Sequence, residues 1–184
     1  IDNSFFGAFN PYNEIVWGDW FESPRIDHLG EVYISGRSMF EVNSLDEVFS
    51  PVAHQPARDN AWSLHVWYAE VDDESTTLYA NFQEFNPLKE NIEINVRKYC
   101  FWPEKTGMNY ITVRGFEMTM AATNWAPPSA LQEGLIGPHW SKGWIIEYNT
   151  ISNSKCSGIS LGKEISTGHN EWVTTGDKHG TQYQ

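Results

Sequence analysis

The sequence predicts an all-β protein in two parts, an antiparallel sandwich followed by the first coils of a parallel β-helix. Three observations carry this expectation. Residues 26–98 hold short alternating runs broken by turn signals at hairpin intervals, and long helical patterns are missing. Residues 99–184 hold short β-branched segments that recur at about one coil length. Aromatic residues make up 15% of the 184, nine of them tryptophan, a load that suits strands and sugar-binding surfaces better than helices.

In the first part, Glu31-Val-Tyr-Ile-Ser alternates up to Gly36, and Ser38-Met-Phe-Glu-Val follows as its partner. The segment from Ser44 predicts a brief helical turn capped by that serine. A run from Ser63 to Val71 ends at the acidic corner Asp72-Asp73-Glu74, and Thr76 to Phe82 reads as the returning strand. Asn91 to Arg97 alternates polar and apolar with period two, as a half-buried strand does. In the second part, Val113-Arg-Gly-Phe-Glu-Met-Thr matches Ile146-Glu-Tyr-Asn-Thr-Ile-Ser at an offset of 33 residues. Gly134-Leu-Ile-Gly likewise matches Ser157-Gly-Ile-Ser-Leu, with Ile136 and Ile159 23 residues apart. Stacked coils put apolar side chains inside the cylinder and asparagines at the turns, where Asn149 is the candidate for a turn ladder. The longer offset is expected to contain an excursion, Met118 to Gln132, because Pro127 and Pro128 do not fit a central strand.

The formal net charge of −12, from 24 acids and 12 bases, argues against nucleic acid or an anionic membrane as partner. It fits a protein handling neutral ligands. No apolar run approaches the ~20 residues that cross a bilayer, and Ile1-Asp-Asn-Ser lacks the basic start of a signal peptide. The expected location is cytoplasmic, although a chain that does not begin with Met makes the missing signal peptide carry little weight. Cys100 and Cys156 are expected as buried thiols rather than a disulfide. The six histidines show no paired spacing and two separated cysteines make no zinc knuckle, so no metal is expected. Neither a phosphate loop nor a nucleophile elbow is present, and no cofactor is called for.

A longer resemblance joins these parts. The run from Pro103 to Phe116, the loop Asn124-Trp-Ala-Pro-Pro, the segment Gly134 to Glu147 and the segment Ser154 to Lys163 resemble the bacterial β-xylosidases of glycoside hydrolase family 120. The opening Asn10-Pro-Tyr-Asn with Gly18-Asp-Trp20-Phe21 resembles them too. The resemblance implies an immunoglobulin-like sandwich inserted near the start of a right-handed parallel β-helix. Residues 1–13 would end an early coil, 14–98 form the insertion, and 99–184 return to an incomplete set of coils. It further implies a retaining hydrolase that removes xylose from xylo-oligosaccharides or other β-pentosides. Retention needs two carboxyls only ~5 Å apart, and in the family both lie in later motifs that this sequence lacks. The catalytic pair is therefore expected outside this chain. The polar tail from Gly176 onward offers no cap, so the coils belong to a larger protein or are completed by partner chains. A homo-oligomer is the expected assembly. The alternative reading is a non-catalytic carbohydrate-binding or subunit-assembly module.

Candidate sugar contacts are Trp20, Trp125, His139, Trp140, Lys163 and Glu164. His139 and Trp140 follow the segment Gly134 to Pro138, and Lys163 with Glu164 take nearly the same place one coil later. Such a repeated corner makes a groove edge, where a histidine bonds hydroxyls and a tryptophan covers the apolar face of a pyranose. The plainer reading is that both pack the corner. Trp125 on its loop reaches over a groove or packs. Trp20, beside the Gly18-Asp19 corner, contacts sugar in a neighbouring subunit's site or anchors the sandwich. Glu133, Glu147 and Glu164 fall on or beside successive coils, as a catalytic pair or as solvated turn acids.

Overall fold

A computed structural model describes residues 1–3, 8–9, 27–121 and 133–161. These separate into two compact units that meet in sequence between Val96 and Arg97.

The first unit holds a short ladder, β1 (Ala8–Phe9) with β2 (Asp27–His28), and two three-stranded sheets. One sheet has the order β4 (Arg37–Ser38), β3 (Val32–Ile34), β8 (Ile92–Ile94), antiparallel throughout. Its hairpin turns on Ser35 and Gly36, at φ 47° and 82°. Two successive left-handed residues match the twist of the flanking strands. The other sheet has the order β5 (Phe40–Glu41), β6 (Val66–Val71), β7 (Thr76–Asn81). Here β6 and β7 form the expected antiparallel hairpin, but β5 runs parallel to β6. The antiparallel expectation fails at this pair because the chain changes sheets at Met39. The Met39 amide still donates to Val32 at 2.9 Å, while the Phe40 amide donates to His65 at 2.9 Å.

Val32, Ile34, Met39, Trp67 and Ala69, drawn from both sheets, form the core, with Leu78, Ala80 and Ile92 packed against it. Trp67 is fully buried, and its Nε1 donates to Glu31 at 3.3 Å. α1 (Leu45–Phe49) starts at Ser44, whose Oγ accepts from the Glu47 amide at 3.4 Å, the predicted cap. The run from Ser63 opens in a 3₁₀ turn (Trp62–Leu64) before the strand begins. Around β8 the half-buried pattern is only partly realised. Ile92 packs inward, yet Ile94 and Val96 are exposed and Asn95 is buried. Asn95 goes inside because Glu31 needs it: its Oδ1 accepts from the Glu31 amide at 3.1 Å, and its own amide donates to the Glu31 carbonyl at 3.1 Å.

The second unit is made of stacked coils. β9 (Thr112–Arg114) pairs parallel with β12 (Ile145–Glu147), and β10 (Glu117–Thr119) with β13 (Thr150–Ser152). β11 (Gly134–Ile136) pairs parallel with β14 (Ser157–Ile159), and a parallel bridge joins Phe101 to Ile136. The registers are those of the sequence repeats: Val113 opposes Ile146, and Ile136 opposes Ile159. Val113, Met118, Ala121, Leu135 and Ile136 fill the interior, with Ile111, Trp144, Ile146 and Ile151 around them.

Asn149 makes the expected rung. Its Oδ1 accepts from the Phe116 amide at 2.9 Å and its Nδ2 donates to the Val113 carbonyl at 2.8 Å. The Lys142 amide donates to Asn109 Oδ1 at 2.7 Å, and the Met108 amide to Ser141 Oγ at 2.9 Å, both across 33 residues. Met118 lies within β10 and the Ala121 carbonyl still accepts from the Lys155 amide, so residues 118–121 belong to the coil and not to the predicted excursion. Residues 122–132 lie outside those described. Both cysteines are free thiols, but they are exposed, not buried. Their side chains leave the interior to the aliphatic residues of the coil core.

Gly137 shows how closely the coils approach. A Cβ there would lie 1.8 Å from the Ser160 carbonyl oxygen and 2.4 Å from the Trp102 ring, whereas one at Gly115 meets nothing within 4 Å. Gly137→Ala is expected to cost about 3 kcal/mol or more through forced separation of the coils. Gly115→Ala bears only the left-handed backbone penalty of about 1–2 kcal/mol. Thermal denaturation followed by circular dichroism orders the two, and equal losses would contradict the stacking.

Candidate functional site

The corner after β11 is shaped by three layers of chain. Phe101, Ile136 and Ile159 occupy successive layers, so Trp102, Gly137 and Ser160 follow at the same bend. Pro138 to Ser141 form a turn closed by the Ser141 amide on the Pro138 carbonyl at 2.9 Å. His139 and Trp140 occupy its centre at φ 48° and 61°. Two left-handed residues in a row make a mirror-image turn usually given to Asn and Gly. A histidine and a tryptophan there cost about 1–2 kcal/mol each. Backbone strain of this kind gathers at functional sites.

The turn is fixed from both neighbouring layers. His139 Nδ1 lies 2.9 Å from the Pro103 carbonyl, which only accepts, so Nδ1 carries the proton. In the neutral ring Nε2 is then the acceptor. The imidazole packs against Trp102 with ring centres 5.4 Å apart, and Trp102 against Tyr99 at 6.1 Å. The Trp140 amide donates to Leu161 at 3.0 Å. Its indole Nε1 is buried and has no hydrogen-bond partner among the described residues, an omission that costs about 1–3 kcal/mol. Burial, with the carboxylates of Glu133 and Glu104 nearby, raises the Tyr99 hydroxyl above its ordinary pKa.

The corner thus offers an aromatic wall and the Nε2 atom of His139, while the Trp140 donor is enclosed. That chemistry suits a neutral hydroxyl-bearing ligand. Glu147 ends β12 and forms an ion pair with Arg114 at 3.4 Å, while Glu133 precedes β11 on another wall. Among the sequence candidates, His139 and Trp140 stand together here. Trp20, Trp125, Lys163 and Glu164, with the catalytic candidate Glu164 among them, lie outside the described residues.

Residues 1–94 match the family described as "Glycoside hydrolase 120, insertion domain". The chain belongs to glycoside hydrolase family 120. Among solved structures, the complex of XylC with xylose is similar at 52% identity and a TM-score of 0.78. The match covers 93% of this chain and 29% of the XylC chain, so the chain spans under a third of that relative. No curated protein matches the sequence.

For this family-120 chain, sequence reasoning misses Trp102, Tyr99 and Gly137. A usable signal exists: Phe101-Trp102 precedes Ile136-Gly137 by 35 residues, a large residue facing a glycine one coil on. Trp140→Phe deletes a donor with no acceptor and is expected to change the melting temperature by no more than about 3 °C. Trp144→Phe deletes a 2.6 Å bond to the Met108 carbonyl and is expected to cost about 0.5–1.5 kcal/mol. Thermal melts of the two variants test the assignment, and a larger loss from Trp140→Phe contradicts it.

Proposed function

We propose that this chain is part of a retaining β-xylosidase that removes xylose from xylo-oligosaccharides or other β-xylosides. The observation that carries the reading is the 52% identity to XylC, solved with xylose, over 93% of this chain. In such a reaction one carboxylate attacks the anomeric carbon while a second protonates the leaving oxygen, and water then releases the sugar. The two groups must sit ~5 Å apart. Glu147 is committed to Arg114 on an outer face, which favours a catalytic pair on coils beyond this sequence. The role of these residues is then to build the wall of the cleft. His139 Nε2 bonds a sugar hydroxyl, and the left-handed backbone at His139 and Trp140 holds that edge of the wall in place before the sugar arrives.

Hydrolysis of an aryl β-xyloside tests this reading. The 184-residue chain alone is expected to show no turnover and the longer protein to show it. Turnover by the chain alone defeats the placement of the carboxylates. A protein that binds xylose but, at full length, cleaves no xyloside supports a carbohydrate-binding module instead.

A further inference from the structure

The sheet formed by β9 and β12 turns Val113 and Ile146 inward and Thr112, Arg114, Ile145 and Glu147 outward. Its outer face has an unusual frame. At the corner before the sheet, Tyr110 in one coil and Gly143 in the next occupy equivalent left-handed positions, φ 61° and 66°. At the corner after it, the equivalent pair is Gly115 and Tyr148, φ 76° and 54°. At each corner one coil takes the unstrained glycine and the other accepts about 1–2 kcal/mol to carry a tyrosine. The two tyrosines are diagonal to one another and 81% and 77% exposed.

Neither strain nor burial in the protein explains these rings. Both are held in place: a Cβ at Gly143 would lie 2.4 Å from the Tyr110 ring, which rests on the glycine, and the Arg114 guanidinium lies 4.6 Å from the centre of the Tyr148 ring. One face of each ring is thus occupied and the other is open.

We propose that this face is a binding strip for a neutral β-linked oligosaccharide, separate from the corner at His139. Five residues of extended chain separate the two tyrosine positions, about 16 Å along the strands. That is several times the width of one pyranose built from bonds of about 1.5 Å, so the strip addresses a chain of sugars. Open aromatic faces meet the apolar faces of pyranoses at each end. Between them the Thr112 hydroxyl and the Arg114–Glu147 pair supply donors and acceptors with no net charge. A charged polymer gains nothing there, least of all on a protein of net charge −12. A second copy of the chain on this face is the rival occupant, and the mass measurement below separates it from a sugar.

The probe is a thio-linked xylohexaose, whose glycosidic sulfur a glycosidase does not cleave, titrated calorimetrically into the full-length protein and its Tyr110→Asn and Tyr148→Asn variants. Asparagine removes the ring and tolerates the left-handed backbone. Each substitution is expected to weaken binding about two- to tenfold, and Tyr148→Phe to retain it. In the wild type, the thio-linked xylohexaose is expected to slow hydrogen exchange in residues 108–116 and 142–150, a result that needs no variant to fold. Unchanged affinity in both asparagine variants, or protection confined to other segments, overturns the proposal. So does a drop in molecular mass in the variants, which would make the face a contact between copies. Binding is read without turnover, so failure of the xylosidase reading leaves this test intact.

Discussion

The second unit depends on one constraint: each coil must hydrogen-bond to the next along its whole backbone, in a single register. A strand in a solenoid has no other partner for its amides and carbonyls, and a slip of one residue would turn every interior side chain outward. The 33-residue register is therefore enforced at several independent points. Val113 opposes Ile146, Met118 opposes Ile151, and the turn groups of Asn109, Ser141 and Asn149 span the same interval. Asn149 bonds both sides of the turn below it, so the corners are locked as firmly as the strands.

The same constraint accounts for the glycines and the aromatics together. Parallel strands stack less than 5 Å apart, which leaves no room for two side chains at a tight bend. Where Trp102 fills the bend, the next coil carries Gly137; where Tyr110 covers it, the next coil carries Gly143. The His139–Trp140 turn breaks this economy by placing two bulky residues at left-handed positions. That exception separates the corner from the structural bends around it.

Much of this is readable in the sequence, and the limits have physical causes. Buried positions of stacked coils must match in polarity, so the repeats at 33 and 23 residues appear in the letters themselves. The hairpin between β6 and β7 is readable because the acidic Asp72 corner is local to it. The parallel pairing of β5 with β6 is not, because it arises where Met39 passes from one sheet to the other, and nothing in the flanking residues marks a change of sheet. Asn95 reads as the solvent side of a strand, yet it is drawn inside by the backbone of Glu31, 64 residues away. At the corner, His139 and Trp140 can be placed from the end of their strand. Trp102 cannot, since its burial depends on a glycine one coil on.

The pairing of a ring with a glycine across a coil boundary means that these coils are not interchangeable units. A chimera joined anywhere between Tyr110 and Gly137 would take Trp102 and Tyr110 from one parent and the glycine seats beneath them from the other. Only parents that agree on both pairs would stack.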